Sequence, residues 1–166
     1  VDIAKEHDFT KIITVILMFI GASPAGTGGG IKTTTFIVLL ATVVSVMRGN
    51  EETTLLKRRV DQFTVYRALS ILSGAALVLF VATGIILTAD PDVNGVDALF
   101  EATSGFGTVG LTAGVTQSLN WISKLAVALT MFIGRVGPVS LGLALTLHKG
   151  HRSTGAILPE GKIIVG

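Results

Sequence analysis

Three stretches of this 166-residue sequence combine residue types that could do chemistry. The first is Ser104-Gly105-Phe106-Gly107-Thr108-Val109-Gly110-Leu111. Gly105, Gly107 and Gly110 make a formal G-x-G-x-x-G, which cradles a dinucleotide only after a strand, before a helix and with an acidic residue about 20 positions on. That context is missing, because the preceding residues read as a helix and the next acidic residue after Gly110 is Glu160. The run fits another chemistry. Carbonyls of a T-V-G run can replace the hydration shell of a potassium ion, and glycine tolerates the backbone angles that turn successive carbonyls one way. The expectation from the run is a selectivity filter in which the carbonyls of Thr108, Val109 and Gly110 hold potassium. An ordinary Gly-rich outer turn is the plainer alternative.

The second stretch is Gly21-Ala22-Ser23-Pro24-Ala25-Gly26-Thr27-Gly28-Gly29-Gly30-Ile31-Lys32-Thr33. It mimics a phosphate-binding loop but fails it, because Walker A needs Gly directly before Lys and Ile31 stands there. Each Gly weakens a helix by about 1 kcal/mol against Ala, so four glycines in five residues after Pro24 should open one. The expectation is a flexible loop inside the membrane, over Gly26, Thr27, Gly28, Gly29, Gly30 and Lys32, that can block or clear a path. A plain loop between two short helices and close packing of small residues are the alternatives. The third stretch is Gly134-Arg135-Val136-Gly137-Pro138. An arginine in mid-membrane costs about 2.5–3.5 kcal/mol on insertion scales, so Arg135 should face a water-filled path or backbone carbonyls rather than lipid. Pro138 removes a helix hydrogen bond and can kink its segment.

Enzyme chemistry has no candidate. The chain has no Cys. His7, His148 and His151 lack metal-ligand spacing, and the apolar segments hold no carboxylate pair or nucleophile–base arrangement.

The elements that must position these residues are membrane segments. Hydrophobic residues make up 49% of the chain and charged ones 14%, against about 25% charged in soluble domains. Residues 68–89 carry no charge and residues 125–147 carry only Arg135. Each is long enough to span a hydrocarbon core of about 30 Å. Residues 12–47 are too long for one ordinary span and are interrupted by the glycines, which reads as one crossing broken in the middle. The loop 48–67 holds Arg48, Lys57, Arg58, Arg59 and Arg67, and the tail 148–166 holds Lys149, Arg152 and Lys162. The stretch 90–120 is acidic, with Asp90, Asp92, Asp97 and Glu101. Basic loops stay cytoplasmic, so 48–67 and 148–166 are expected inside, 90–120 outside, and 1–11 outside. The net charge of +2 therefore reports membrane orientation and not nucleic-acid binding. Residues 97–106 read as a short helix, with Asn94 or Asp97 near its start and Ala98, Leu99, Ala102 and Phe106 as its apolar stripe. Short helix, Gly/Thr turn and span make a re-entrant shape. Val rather than Met at position 1 reads as a piece of a longer chain.

With these features placed, the sequence resembles the carboxyl-terminal part of the membrane (B-type) subunit of Ktr/Trk/HKT-type potassium transporters. The matching stretches are MFIGASPAGTGGGIKTTTF (18–36), ALFEATSGFGTVGLT (98–112), MFIGRVGPVSL (131–141) and LPEGKIIVG (158–166). The resemblance implies an all-α membrane fold built from repeats of span, pore helix, filter and span. Residues 1–47 would be the last, broken span of a third repeat with its intramembrane gate loop, and 48–65 a cytoplasmic loop. Residues 66–147 would be the fourth repeat, and 148–166 a cytoplasmic tail. It implies potassium uptake across the cell membrane, with a filter at Thr108, Val109, Gly110 and Leu111 in which Gly110 is the filter glycine, a gate loop over Gly26, Thr27, Gly28, Gly29, Gly30 and Lys32, Arg135 as pore arginine and sodium as a possible activating ion. No bound cofactor is expected. The implied partners are lipid, a second membrane subunit in a homodimer, and a cytosolic nucleotide-binding regulatory ring. A stand-alone tetrameric span–pore–span channel and a non-transporting membrane scaffold are the competing readings.

Overall fold

The computed structural model describes residues 3, 6–24, 26–49, 53–55 and 58–137. Pro138, His148, His151, the second half of the expected span 125–147, the tail 148–166 and the LPEGKIIVG stretch lie outside the described residues. Among those described, five helices follow in order: α1 Asp8–Phe19, α2 Thr33–Met47, α3 Gln62–Ala89, α4 Gly95–Gly107 and α5 Trp121–Val136. A short antiparallel hairpin, β1 Thr54–Leu55 with β2 Arg58–Arg59, joins α2 to α3. Among the described residues the all-α character implied by the resemblance is present apart from that hairpin, which lies in the basic loop.

Helix α3 is 28 residues, about 42 Å at 1.5 Å per residue. Among the described residues it is the one helix long and apolar enough to cross a membrane. It contains the charge-free segment 68–89. Its inner face carries Ala75, Leu79, Ala82 and Ile86, all buried, at the i, i+4, i+7, i+11 spacing of one helical stripe. The opposite face shows Leu77, Phe80 and Val81 outward.

Helices α1 and α2 have 12 and 15 residues, about 18 and 22 Å, so neither alone reaches across a 30 Å core. Between them, residues 20–32 leave the helical path. The two ends of this excursion meet: Ile20 and Ile31 form a parallel bridge, Gly21 N donates to Ile31 O at 2.7 Å and Ile31 N to Phe19 O at 3.1 Å. The result is a closed loop pinched at its neck.

Helix α4 is the centre of the packing, lying against α1, α3 and α5. Asn94 caps it, its side chain accepting from Val96 N at 3.5 Å. Phe100 and every residue from Glu101 to Phe106 are buried. One face joins Ala98, Ala102 and Phe106 to the α3 stripe, while Phe100 on the other side meets Val15 and Met18 of α1. The Phe106 ring stacks on Phe19 at 6.2 Å. A helix with apolar contacts on both sides holds its last turn rigidly, and that turn carries the T-V-G run.

Candidate functional site

The carboxyl end of α4 turns sharply. Thr108 N donates to Gly105 O at 2.9 Å and Val109 N to Ser104 O at 3.0 Å, the paired bonds of a Schellman ending. That ending needs a left-handed residue, normally Gly, and here Thr108 fills it at φ 52. A β-branched side chain at positive φ is a true outlier. Two residues later Gly110 has φ 82, where glycine has no steric penalty. The backbone through Thr108, Val109, Gly110 and Leu111 is thus non-helical and irregular, and Val109, Gly110 and Leu111 are exposed.

The glycine loop lies against this turn. Gly29 N donates to the Thr108 hydroxyl at 2.8 Å, and Gly30 N donates to Phe106 O at 3.1 Å. These bonds satisfy a helix-end carbonyl and hold the strained threonine. Contact is close enough to exclude side chains at two positions. A Cβ on Gly29 would lie 2.7 Å from Phe106 O, and one on Gly134 of α5 only 2.0 Å from the same atom. Three backbone segments therefore converge on the Phe106 carbonyl.

Cationic side chains hold the loop itself. Lys32 Nζ donates to Gly28 O at 2.7 Å, and Arg135 Nη1 donates to the neighbouring Thr27 O. Adjacent carbonyls of the loop are thus each held by a positive charge. Of the residues singled out from sequence, Thr27, Gly28, Gly29, Gly30, Lys32, Thr108 and Arg135 belong to one connected group. Gly26 closes the tip of the loop, its N donating to Ser23 O at 2.8 Å, while Val109, Gly110 and Leu111 continue the turn on its exposed side.

Sequence reasoning did not find what stands behind the turn. Glu101, 3% exposed, accepts from Thr112 Oγ1 at 2.5 Å, Ala113 N at 3.0 Å and Thr116 Oγ1 at 2.7 Å. Ser104 Oγ donates to Leu111 O at 2.5 Å. The available signal was a carboxylate and a hydroxyl three apart on one helix face, just before the T-V-G run. Beside them lies a cavity of about 470 Å³ whose walls include Glu101, Ser104, Gly110 and Thr112. Asp90, at the end of α3, accepts from Asn120 N at 3.0 Å and Ser123 Oγ at 2.5 Å, which fixes the start of α5 and hence Gly134 and Arg135. At the other end of α4, Lys11 of α1 pairs with Asp97 at 2.6 Å.

A strained turn of backbone carbonyls, backed by side-chain hydrogen bonds and touched by a cation-held glycine loop, is what the site offers chemically. Known proteins are similar to this chain along nearly its whole length. The family model TrkH, described as a cation transport protein, matches residues 1–153. The chain is 39% identical over 166 residues to Ktr system potassium uptake protein D of Bacillus subtilis (strain 168), covering 100% of this chain and 36% of that protein. It is 34% identical over 165 residues to Ktr system potassium uptake protein B of the same organism, covering 99% of this chain and 36% of the relative. With the potassium/sodium uptake protein NtpJ of Enterococcus hirae it shares 34% identity over 158 residues, 93% of this chain and 35% of the relative. The chain spans about a third of the length of these relatives. With the family match running over nearly its whole length, the chain belongs to the TrkH family of cation transport proteins.

Proposed function

We propose that the chain is part of a membrane protein that takes up potassium, and that it contributes one carbonyl-lined filter segment and one gate loop to the ion path. The observation that carries the reading is the left-handed turn at Thr108, hydrogen-bonded directly to the glycine loop. Strain of this kind persists only where surrounding structure over-determines it, and it clusters at functional sites. In this reading a dehydrated potassium ion meets the carbonyls of Thr108, Val109 and Gly110, with Leu111 at the filter's outer side. It then passes the loop Gly26–Gly30, whose position is set by Lys32 and Arg135. The printed names of the relatives, two potassium uptake proteins and a potassium/sodium uptake protein, support potassium as the cargo and sodium as a second ion that influences it.

The finer arrangement belongs to the same proposal. Residues 1–47 form the last span of a third repeat, broken at the gate loop. Residues 48–65 form a cytoplasmic loop, 66–147 a fourth span–pore–span repeat, and 148–166 a cytoplasmic tail. The membrane is the cell membrane, crossed several times. The relatives are named as proteins of a Ktr system, which supports assembly with other components: a second membrane subunit and a cytosolic nucleotide-binding ring on the basic loop 48–67.

The test is growth and cation uptake in a cell lacking its own potassium uptake, with the full-length protein and its Gly110→Ser variant. Ser at φ 82 strains the turn, because L side chains rarely adopt that backbone conformation even where a Cβ meets nothing within 4 Å. Restored uptake by the wild type, with a large fall in potassium-over-sodium preference in the variant, is the expected result. Unchanged preference in a correctly inserted variant would remove the filter assignment, and no rescue by the wild type would favour a scaffold.

A further inference from the structure

We infer that Glu101 is a positioning residue for cation discrimination: its buried carboxylate fixes the register of the chain that leaves Gly110. The inference rests on the ion-path reading above. Both carboxylate oxygens are used. Oε1 accepts from Thr112 Oγ1 at 2.5 Å and from Ala113 N at 3.0 Å, and Oε2 accepts from Thr116 Oγ1 at 2.7 Å. The three bonds all go to residues 112–116, immediately past the irregular turn. One helical turn further along α4, Ser104 Oγ adds a fourth link, to Leu111 O at 2.5 Å. The partners found for Glu101 among the described residues are two hydroxyls and a backbone N–H. The carboxylate is satisfied by neutral donors, and these donors all come from the segment it would position.

The chemistry explains why an acid stands here. A carboxylate is acceptor-only and offers about four lone-pair sites, so it can accept from both hydroxyls and the N–H, and the two hydroxyl oxygens, 2.6 Å apart, belong to the same network. Hydrogen bonds to a charged acceptor are also about twice as strong as neutral ones. A glutamine of the same shape can serve Thr112 and Ala113 with its oxygen but turns an N–H toward Thr116. Discrimination by carbonyls depends on their spacing or on the number and strength of the dipoles facing the ion. Either way the carbonyls at 108–111 must be held from behind. Ser104 holds the last of them, and Glu101 holds the strand that continues from it.

The experiment compares potassium and sodium uptake, as the ratio of KM values, in the full-length protein with three sets of substitutions: Glu101→Gln, Thr112→Val with Thr116→Val, and all three together. Membrane insertion is measured alongside. If Glu101 acts through the two threonines, Glu101→Gln lowers the preference about tenfold, within the range expected for loss of a charge-assisted hydrogen bond. The threonine pair then gives a similar fall, and the triple variant adds no more than about twofold, the non-additivity expected of groups in one network. Wild-type preference in the threonine pair overturns the inference, as does an unmoved ratio in Glu101→Gln or full additivity in the triple variant. Those results would leave the carboxylate acting on the ion by its charge alone or not acting on it. If Glu101→Gln fails to insert, the threonine pair decides by itself, a lowered ratio supporting the inference and an unchanged one overturning it. A wild type that takes up neither cation overturns the ion-path reading instead, so the two failures are distinguishable.

Discussion

A non-glycine residue held in the left-handed region costs about 1–3 kcal/mol, and Thr108 occupies it at φ 52. The residues around Thr108 account for its being held there. Gly29 N occupies its hydroxyl, Gly30 N occupies the Phe106 carbonyl, and α5 presses its backbone against the same carbonyl at Gly134. The last contact has the least freedom, since a Cβ at 134 would stand 2.0 Å from Phe106 O, and neither partner is a movable side chain. Gly134→Ala is expected to destabilise the protein by about 3 kcal/mol, the upper end for an overpacked site, read as a fall in thermal midpoint of the detergent-solubilised protein. Gly84→Ala in α3 is the control. A Cβ there meets nothing within 4 Å, so the helix-propensity gain of up to about 1 kcal/mol should be all that remains. Equal shifts in the two variants would show that convergence on Phe106 O is not what constrains position 134.

At the scale of elements, α4 is held at both ends, and its amino end depends on an ion pair. Lys11 of α1 and Asp97 of α4 meet at 2.6 Å with side chains only 6% and 16% exposed. Removing one partner of a buried pair leaves an uncompensated charge and costs about 3–5 kcal/mol, whereas replacing both by apolar groups is often neutral. Asp97→Asn should therefore destabilise by that amount, and Lys11→Met with Asp97→Leu should recover most of it, measured by denaturation of the single and double variants. A double variant as unstable as Asp97→Asn would mean that the pair orients α1 in some way beyond charge compensation. Much of this element layout was legible in the sequence. Ala98, Ala102 and Phe106 are buried at the helical spacing that marked them, Leu99 of the same stripe is half-buried, and the glycines after Pro24 lie between α1 and α2. Two helices begin before the apolar runs read from the sequence, for physical reasons. Helix α5 starts at Trp121, before the run 125–147, because Asn120 caps it and Lys124 stays in the helix while its ammonium reaches Gln117 O at 3.1 Å. Helix α3 starts at Gln62, where Arg67 lies over the Phe63 ring at 4.2 Å, so a charge that looked like the end of the loop is inside the first turns. The role of Glu101 was not legible, because sequence position does not show that three donors from residues 112–116 fold back onto its carboxylate.

For the whole molecule the decisive quantity is orientation, because a filter on the wrong side of its gate cannot take up ions in the proposed order. We propose the orientation that the charge pattern supports. Basic residues at 48, 57, 58, 59 and 67 precede α3, and Asp90, Asp92 and Asp97 follow it. With Lys and Arg held cytoplasmic, α3 runs from inside to outside. Its 28 residues cover about 42 Å, enough to bring Asp92 clear of a 30 Å core. In that proposed orientation the Thr108 turn lies toward the outer side, beyond the glycine loop that touches it. The chain has no Cys, so single cysteines placed in it in the full-length protein can be read by labelling once any cysteines elsewhere are replaced. Asp92→Cys and Arg48→Cys both stand at exposed positions, and four basic residues remain in the inner loop after the second change. A membrane-impermeant maleimide should label position 92 in intact cells, and position 48 only after the membrane is opened. The reverse pattern would invert α3 and place the carbonyl turn on the cytoplasmic side. Labelling of both positions in intact cells would instead mean that α3 does not cross the membrane, which would remove the span on which the proposed fourth repeat is built.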